Sequence, residues 1–307
     1  MTRLHRSISF FTAPALLALF GCGGEKTTGP VPTARINPSL ASAGLAAVAS
    51  RFYEQHNLVS DGAVPADLVD AALVNAWGLV ASATSPWWIA DNGTDRSTLY
   101  NGNTGAKLGL TVSVPGAPTG AVFSGGTGFA VSNGTASAPA RFIFATEQGT
   151  VLGWNPSVAL TQAVVAIDNS AGGAVYKGLA IASTAVGDRL YATNFHAGTV
   201  DVFDAGFHPV SAGFSDPTLP SGYAPFGIRN LGGMIYVTYA LQDADKHDDV
   251  AGVGHGFVDA FDPGGHLLRR VASRGRLNSP WGLALAPADF GQFGGDLPEI
   301  EIGRAHV

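Results

Sequence analysis

The densest group of side chains that could bind a ligand lies in the segment Gln242–Asp249, where four aspartates fall within seven residues. Carboxylate oxygens are preferred ligands of Ca²⁺, and Asp243 and Asp245 are close enough in sequence to share one ion. Asp248 or Asp249 could complete the set together with backbone carbonyl oxygens. The segment lacks the glycine and the terminal glutamate of an EF-hand loop, so it is not that motif. The pattern predicts a calcium site of another kind.

Two other interpretations of this region stay open. The acidic segment could be a solvated turn in which aspartate side chains cap local backbone N–H groups. Alternatively, three histidines on separate loops could form a histidine-rich rim or a transition-metal site: His196, His247 and His255.

The sequence carries none of the common catalytic signatures. It has no P-loop, no nucleophile elbow, no dinucleotide fingerprint and no zinc-ligand spacing. The glycine-rich segments 125–128 and 172–173 are typical of turns rather than of phosphate-binding loops. A formal net charge of −6 and an isoelectric point near 5.7 provide no basic surface, so we expect no nucleic acid partner.

The N-terminus has the pattern of an export signal. Two arginines precede an uncharged run that ends at Phe20, as in a secretory signal peptide over residues 1–21. The segment Leu19-Phe20-Gly21-Cys22 resembles a bacterial lipobox, although Phe20 is bulkier than is usual there. In such proteins the cysteine carries the lipid, so we expect Cys22, the single cysteine, to anchor the protein in a membrane. An ordinary signal peptide or a short membrane anchor is the alternative.

The predicted lipid anchor indicates the cellular location of the protein. Residues 22–50 are rich in Thr, Pro, Gly, Ala and Ser, a composition that predicts a flexible tether. No aspartate follows Cys22, which in a Gram-negative cell favours the outer membrane. We therefore expect an exported lipoprotein of the outer membrane or facing the periplasm, and an extracellular protein otherwise.

The last residues of the chain are predicted not to belong to the natural protein. Residues 301–307 correspond to one reading frame of a common short-read sequencing adapter, including the stop codon that follows. We therefore expect native sequence to end near Ile300 and the natural protein to continue differently.

A two-strand unit recurs along the chain. In Leu190–Asp204, two aromatic and β-branched runs flank a small turn, a composition typical of paired, largely buried strands. Each second strand ends with an aromatic residue followed by Asn or Asp. The other copies lie at 88–101, 143–155 and 235–262, the last with an insertion that contains the acidic segment.

A second unit, a glycine followed by an apolar strand, precedes each pair. Its glycines are 42, 58, 49 and 55 residues apart: Gly78, Gly120, Gly178, Gly227 and Gly282. This period is typical of the four-stranded blades of a β-propeller. We expect these glycines on inner strands that crowd around the axis, where a missing Cβ permits close approach. The aromatic residues before them are expected to pack between adjacent blades: Trp77, Phe226 and Trp281.

The fold class is therefore all-β, a β-propeller over residues 51–300. Four blades and the start of a fifth are present, and six are expected in the complete protein. Segments 107–114, 163–168 and 266–271 are predicted outer strands. Residues 52–59 are placed to supply the outer strand of the last blade, which would cover a sheet edge.

The chain resembles a known family of uncharacterised, secreted bacterial β-propellers with NHL-like repeats, some of which carry a C-terminal PEP-type exosortase sorting signal. The resemblance covers residues 57–295 and depends on four segments: Val74–Leu79, Ala192–Asp204, Tyr239–Asp249 and Asn278–Leu283. It implies a six-bladed propeller and export, and no established activity. This chain differs in its lipobox-like N-terminus and in lacking the final strands.

Two functions are compatible with this pattern. The first is a non-enzymatic, lipid-anchored module that binds a protein or glycan at the cell envelope. The second is a hydrolase or lyase resembling lactonase-type propellers, which needs Glu, Asn and Asp side chains around one axial divalent ion. Four residues at corresponding ends of the second strands could line one face of the ring: Asn92, Glu147, Asn194 and Tyr239.

Overall fold

The structure is a computed structural model that describes residues 7–11, 55–288 and 300–304, with side chains described over 55–288. Within these ranges the regular elements are β-strands and two single-turn 3-10 helices, Asn92–Thr94 and Ser170–Gly172. The strands are β1 Ser7–Phe11, β2 Gln55–Ser60, β3 Leu68–Val69, β4 Ala76–Val80, β5 Trp87–Asp91, β6 Arg96–Tyr100, β7 Lys107–Ser113, β8 Pro118–Phe123, β9 Ala130–Ser132, β10 Ser137–Pro139, β11 Phe142–Thr146, β12 Thr150–Trp154, β13 Val164–Asp168, β14 Tyr176–Thr184, β15 Gly187–Asn194, β16 Thr199–Asp204, β17 Pro209–Val210, β18 Tyr223–Leu231, β19 Met234–Leu241, β20 Phe257–Phe261, β21 Leu267–Ser273, β22 Pro280–Leu285 and β23 Ile300–Arg304.

Four antiparallel, four-stranded sheets follow one another along the chain. They have the orders β4-β5-β6-β7, β8-β11-β12-β13, β14-β15-β16-β17 and β18-β19-β20-β21, here called blades 1 to 4. The hairpin β9–β10 is inserted in blade 2, and β22, paired with β23, begins a fifth sheet. The first strands contact one another in chain order, β4 with β8, β8 with β14, β14 with β18 and β18 with β22. This arrangement confirms the β-propeller, whereas six blades stay a prediction.

The hydrophobic core lies between the blades. The middle strands are buried on both faces, so that every residue of β11 is buried. Between blades 1 and 2, the ring of Trp88 stacks on Phe142 with centroids 4.1 Å apart and lies 4.6 Å from Trp154. Similar clusters fill the gaps between blades 2 and 3 and between blades 3 and 4. Burial on both faces is why the repeats contain continuous apolar runs instead of alternating ones.

The recurring glycines lie where neighbouring inner strands meet, as predicted. A Cβ atom added at Gly120 would lie 2.3 Å from the backbone nitrogen of Leu179, on the inner strand of the next blade. One added at Gly227 would lie 2.0 Å from the carbonyl oxygen of Trp281. Both distances are far below van der Waals contact, so only glycine permits this approach.

A β-bulge interrupts the inner strand of each blade next to its glycine. Opposite each bulge the pairing skips a position, between Ala76 and Leu79 in β4 and between Tyr176 and Gly178 in β14. The other inner strands show the same shift. A bulge bends its strand and redirects a side chain. The residues that precede the glycines are Trp77, Thr119, Lys177, Phe226 and Trp281.

The predicted position of the aromatic residues was wrong in one respect. Trp77 does not pack between adjacent blades but across the axis, because the bulge redirects it. Its ring centroid lies 5.8 Å from that of Phe226 in blade 4 and 5.3 Å from that of Trp281 in the fifth sheet. Phe195 packs on Phe226 with centroids 5.2 Å apart. These four rings, the axial aromatic cluster, fill the centre of the ring.

Strand β2 contains most of the segment predicted to supply the outer strand of the last blade. It pairs antiparallel with β1 and parallel with β3, and because the described residues do not include a last blade, that role stays a prediction. Its buried residues Leu58 and Val59 pack against blade 1, on Leu73 and Tyr100 among others. The three predicted outer strands, by contrast, correspond to β7, β13 and β21.

The predicted lipidation site Cys22 and the tether over residues 22–50 lie outside the described residues, as do residues 305–307. In the part of the chain that the structure describes, no helix is long and apolar enough to span a membrane.

Candidate functional site

The candidate site lies on the axis, at the end of the ring where the inner strands begin and the second strands finish. Of the five bulge residues, Lys177 alone carries a charge. Its side chain is fully buried. The Nζ atom lies 5.5 Å from the ring centroid of Trp77 and 6.0 Å from that of Phe195. Aromatic faces attract a cation, but a buried ammonium also requires hydrogen-bonded anions.

Two carboxylates from different blades provide those anions. Lys177 Nζ donates to Glu147 Oε1, at the end of β11, and to Asp248 Oδ1 at 2.9 Å, in the loop after β19. The side chain of Glu147 is 14% exposed and that of Asp248 is 56% exposed. Desolvation raises the pKa of Asp248, but the charge and hydrogen bond of Lys177 outweigh it, so that the pKa lies below its usual value. The cation therefore ties the acidic loop to the axis.

The network continues from Glu147 into blade 1. Glu147 Oε2 accepts a hydrogen bond from Asn92 Nδ2 at 3.0 Å, and Asn92 Oδ1 accepts one from Asn75 Nδ2 at 2.9 Å. We call these residues the axial network: Asn75, Asn92, Glu147, Lys177 and Asp248. It joins three blades and the acidic loop, and its hydrogen bonds offset the desolvation of the buried charges.

Strand register explains which of the four predicted face residues meet. In each blade, the aromatic residue at the end of the third strand pairs with a residue of the second strand. Asn92 and Glu147 each lie five residues after that paired residue. The corresponding residues of blades 3 and 4 are Phe195 and Ala240. The predicted Asn194 and Tyr239 lie one position earlier, and a shift of one residue directs a side chain to the opposite face of a sheet.

The side chains of Asn194 and Tyr239 accordingly have partners other than the axial network. Asn194 Nδ2 donates to Asp201 Oδ2 at 3.1 Å, and its Oδ1 accepts from the backbone N–H of Ala197. Tyr239 is buried in the core between blades 3 and 4, where desolvation raises its pKa. Among the described residues, neither side chain forms a hydrogen bond with the axial network.

Sequence reasoning missed Lys177, although a signal was present. The residue before the recurring glycine is aromatic in three repeats and threonine in a fourth. A lysine at a position with so little room and so little water predicts a buried charge with dedicated partners. The repeat alignment alone could have identified it.

The structure does not gather the four predicted calcium ligands. Asp243 Oδ1 accepts the backbone N–H of His247 at 2.9 Å, which closes a local turn, and Asp248 bonds to Lys177. Asp245 is exposed, and Asp249 pairs through its backbone with Gln242. Over the described residues, no group of three or more His, Cys, Asp or Glu side chains is arranged to hold a metal ion. The calcium site stays a prediction.

The three histidines of the alternative site have separate surroundings. His247 Nδ1 lies 3.1 Å from Asp248 Oδ1. His255 Nδ1 contacts the carbonyl oxygen of Val250 at 2.8 Å. The ring of His196 lies near Gly173, on another loop.

A buried carboxyl group next to the network makes stability depend on pH. Asp91 is fully buried at the end of β5, and desolvation raises its pKa to about 8, although a hydrogen bond from Thr98 at 2.7 Å opposes this. The folded state thus retains a proton that the unfolded chain has lost. Stability should fall as the pH rises from about 4 to about 8.

Replacing Asp91 by asparagine should remove this dependence. Asn194 occupies the equivalent position of blade 3, so an amide fits there. We expect Asp91→Asn to match the wild type near pH 4.5 and to exceed it by about 1–3 kcal/mol near pH 8. Urea unfolding across this range measures the effect, with the exposed Asp245→Asn as control. Parallel stability curves for wild type and Asp91→Asn would refute the assignment.

Comparison with known proteins gives relatives without an assigned activity. No family model matches the chain. Two uncharacterized proteins of Acanthamoeba polyphaga mimivirus are each 34% identical, over 249 and 265 residues, or 76% and 81% of this chain. The chain spans 65% of the first relative and 64% of the second.

Similar solved structures include propeller enzymes at low identity. Virginiamycin B lyase from Staphylococcus aureus, with quinupristin, is 10% identical, with a TM-score of 0.42, over 76% of this chain and 64% of the lyase chain. A gluconolactonase from Xanthomonas campestris is 21% identical, with a TM-score of 0.36, over 52% of each chain. The propeller assignment depends on strand topology rather than on these distant likenesses.

Proposed function

We propose that this chain is a β-propeller binding module, exported and anchored by a lipid on Cys22, which binds a protein or glycan ligand at the cell envelope. The N-terminal pattern supports the anchor, and the missing catalytic signatures support binding over catalysis. Membership of the bacterial secreted family that the chain resembles is part of this proposal.

One observation carries the binding assignment: the charged group on the axis is satisfied within the protein. Lys177 donates to both Glu147 and Asp248, and the rings of Trp77 and Phe195 lie beside its ammonium group. A catalytic group needs access to a substrate. These charges are engaged in joining blades, which suits a rigid scaffold that presents loops.

The axial network also bears on the alternative, a metal-dependent hydrolase or lyase. It does bring together Glu, Asn and Asp side chains, the chemical types that such an enzyme requires at the axis. However, the ammonium of Lys177 occupies the position between Glu147 and Asp248, and a second cation there would be repelled strongly at short range. The residues present therefore do not fit an axial divalent ion.

Membrane fractionation and metal titration test the proposal. The wild type should fractionate with membranes, whereas Cys22→Ala should be soluble, because the lipid is attached through the cysteine thiol. Hydrolase and lyase screens should show no activity that EDTA abolishes. Equal membrane association of both proteins would refute the anchor, and EDTA-sensitive turnover would favour the enzyme.

Calorimetry with Ca²⁺ tests the predicted calcium site. The absence of binding heat, together with no rise in Tm, would refute that site.

A further inference from the structure

Two adjoining pockets open at the opposite end of the ring, where the inner strands finish. Both are lined by the segment 123–126, which begins at the last residue of β8. The first has a volume of about 310 Å³ and reaches Arg141 and Asn155. The second, here called the β14 pocket, has a volume of about 450 Å³ and is also lined by Ile181, Ala182, Ser183, Asp188 and Asn230. Such volumes are typical of small-ligand sites.

Ser124 gives the β14 pocket an unsatisfied polar group. The residue is 3% exposed, and within the described residues its hydroxyl has no hydrogen-bond partner. An unpaired buried hydroxyl is destabilising, so native proteins keep few of them. A ligand with its own hydroxyl groups could enter the pocket and remove this penalty.

Asp188 provides a strong acceptor in the same pocket. Its Oδ1 accepts a hydrogen bond from Ser183 Oγ at 2.6 Å. Its Oδ2 lies beside Gly126, where an added Cβ atom would come within 2.9 Å of it, so a side chain at this position would crowd the oxygen. Carboxylates form strong, charge-assisted hydrogen bonds with hydroxyl donors.

The remaining lining residues select the ligand class. No lysine or arginine lines the β14 pocket among the described residues, so Asp188 disfavours anionic ligands. Phe123 and Ile181 contribute apolar walls beside the polar groups, a combination suited to a molecule with both C–H faces and hydroxyl groups. Asn230 donates to the carbonyl oxygen of Ile181 at 3.0 Å and thereby holds blades 3 and 4 together at the pocket.

We propose that the β14 pocket binds a neutral sugar unit through the hydroxyl of Ser124 and the carboxylate of Asp188. The inference rests on the proposed function, since it makes a glycan the ligand of the binding module. It also places the ligand at the end of the ring remote from the axial network.

Calorimetry with neutral oligosaccharides tests the inference. The full chain would be titrated with chitotriose, cellotriose and maltotriose at millimolar concentration, and we expect at least one to bind. Ser124→Ala should weaken that binding about 3- to 10-fold, the loss of one neutral hydrogen bond. Asp188→Asn should weaken it about 10- to 100-fold, because hydrogen bonds to charged groups are stronger.

The controls separate binding from folding. Asp245→Asn, an exposed aspartate at the other end of the ring, should bind as the wild type does. Ser124→Ala removes an unpaired buried hydroxyl and should not lower the Tm, so one variant stays informative even if Asp188→Asn is unstable. Absence of binding by all three sugars, unchanged affinity in both pocket variants, or preference for a cationic probe such as choline would each overturn the inference.

Failure of the sugar site is distinguishable from failure of the proposed function. Membrane release of Cys22→Ala and the absence of EDTA-sensitive turnover do not depend on the β14 pocket. A module that meets those criteria but binds no sugar would retain the proposed function with another ligand, and only the pocket assignment would fall.

Discussion

Gly227→Ala is expected to destabilise the propeller more than most single methyl additions. A Cβ atom there would lie 2.0 Å from the carbonyl oxygen of Trp281, which belongs to the backbone of the next inner strand. A flexible side chain could move aside, but two bulged strands around an axis filled by aromatic rings cannot separate locally. Overpacking of a rigid core costs about 1–3 kcal/mol, and we expect about 3 kcal/mol or more here.

Unfolding in urea, with Tm as a second measurement, checks this expectation. For a domain of this size the Tm should fall by about 6–12 °C. Gly109→Ala is the matched control, because a Cβ atom at this exposed outer-strand position meets nothing within 4 Å. It should change stability by less than about 0.5 kcal/mol. If Gly227→Ala and Gly109→Ala unfolded at the same urea concentration, close approach of the inner strands would not be the reason why residue 227 is glycine.

Lys177→Met is the second change from which we expect a large effect. Methionine retains the length and apolar stem of lysine but leaves two carboxylates without their cation. Removing one partner of a buried ion pair costs about 3–5 kcal/mol. Because Asp248 is more than half exposed, most of the penalty should arise at Glu147, and we expect a loss of about 3 kcal/mol at neutral pH.

A double variant attributes the loss to the unpaired charge. Lys177→Met combined with Glu147→Gln should recover part of the stability, since the amide oxygen can still accept from Asn92 while the buried charge is gone. Lys246→Met, in the exposed acidic loop, is the control and should be nearly neutral. Equal stability of Lys177→Met and Lys246→Met would show that the axial network contributes little.

The stability of Lys177→Met should depend on pH differently from the stability of the wild type. The pKa of Asp248 is below its usual value in the folded protein, so its contribution is present above about pH 4 and is lost as the pH falls through the folded value. In Lys177→Met this contribution is already missing. The difference between wild type and Lys177→Met should therefore shrink in acid.

Periodicity made most of the fold predictable. The spacing of the Gly-apolar units and the paired strands identified four blades, and the structure confirms the strand order of each. The close approach at Gly120 and Gly227 was also predictable, because a glycine that recurs at the period of a blade indicates a position without room for a side chain. These features depend on local composition that recurs, which a single sequence displays directly.

The axial network was less predictable. The ends of the second strands face the ring centre as expected, yet the predicted residues Asn194 and Tyr239 lie one position too early. Sequence patterns do not resolve a shift of one residue when both faces of a strand are buried, since no alternation marks the core side. The acidic pattern predicts Asp248 as a calcium ligand, whereas the structure pairs it with Lys177 across 71 positions of sequence.

By itself, the sequence determined the class of fold, the order of the strands and the positions where only glycine can lie. Each of these follows from short-range spacing and from the sterics of the backbone. Only the tertiary structure decided which polar residues meet on the axis, because the packing of consecutive blades brings together Asn92, Glu147 and Lys177 from three blades. It also decided that the aromatic residues meet across the centre, since a bulge redirects each inner-strand side chain. Pairings of this kind depend on the direction of side chains around the axis, which no local pattern records.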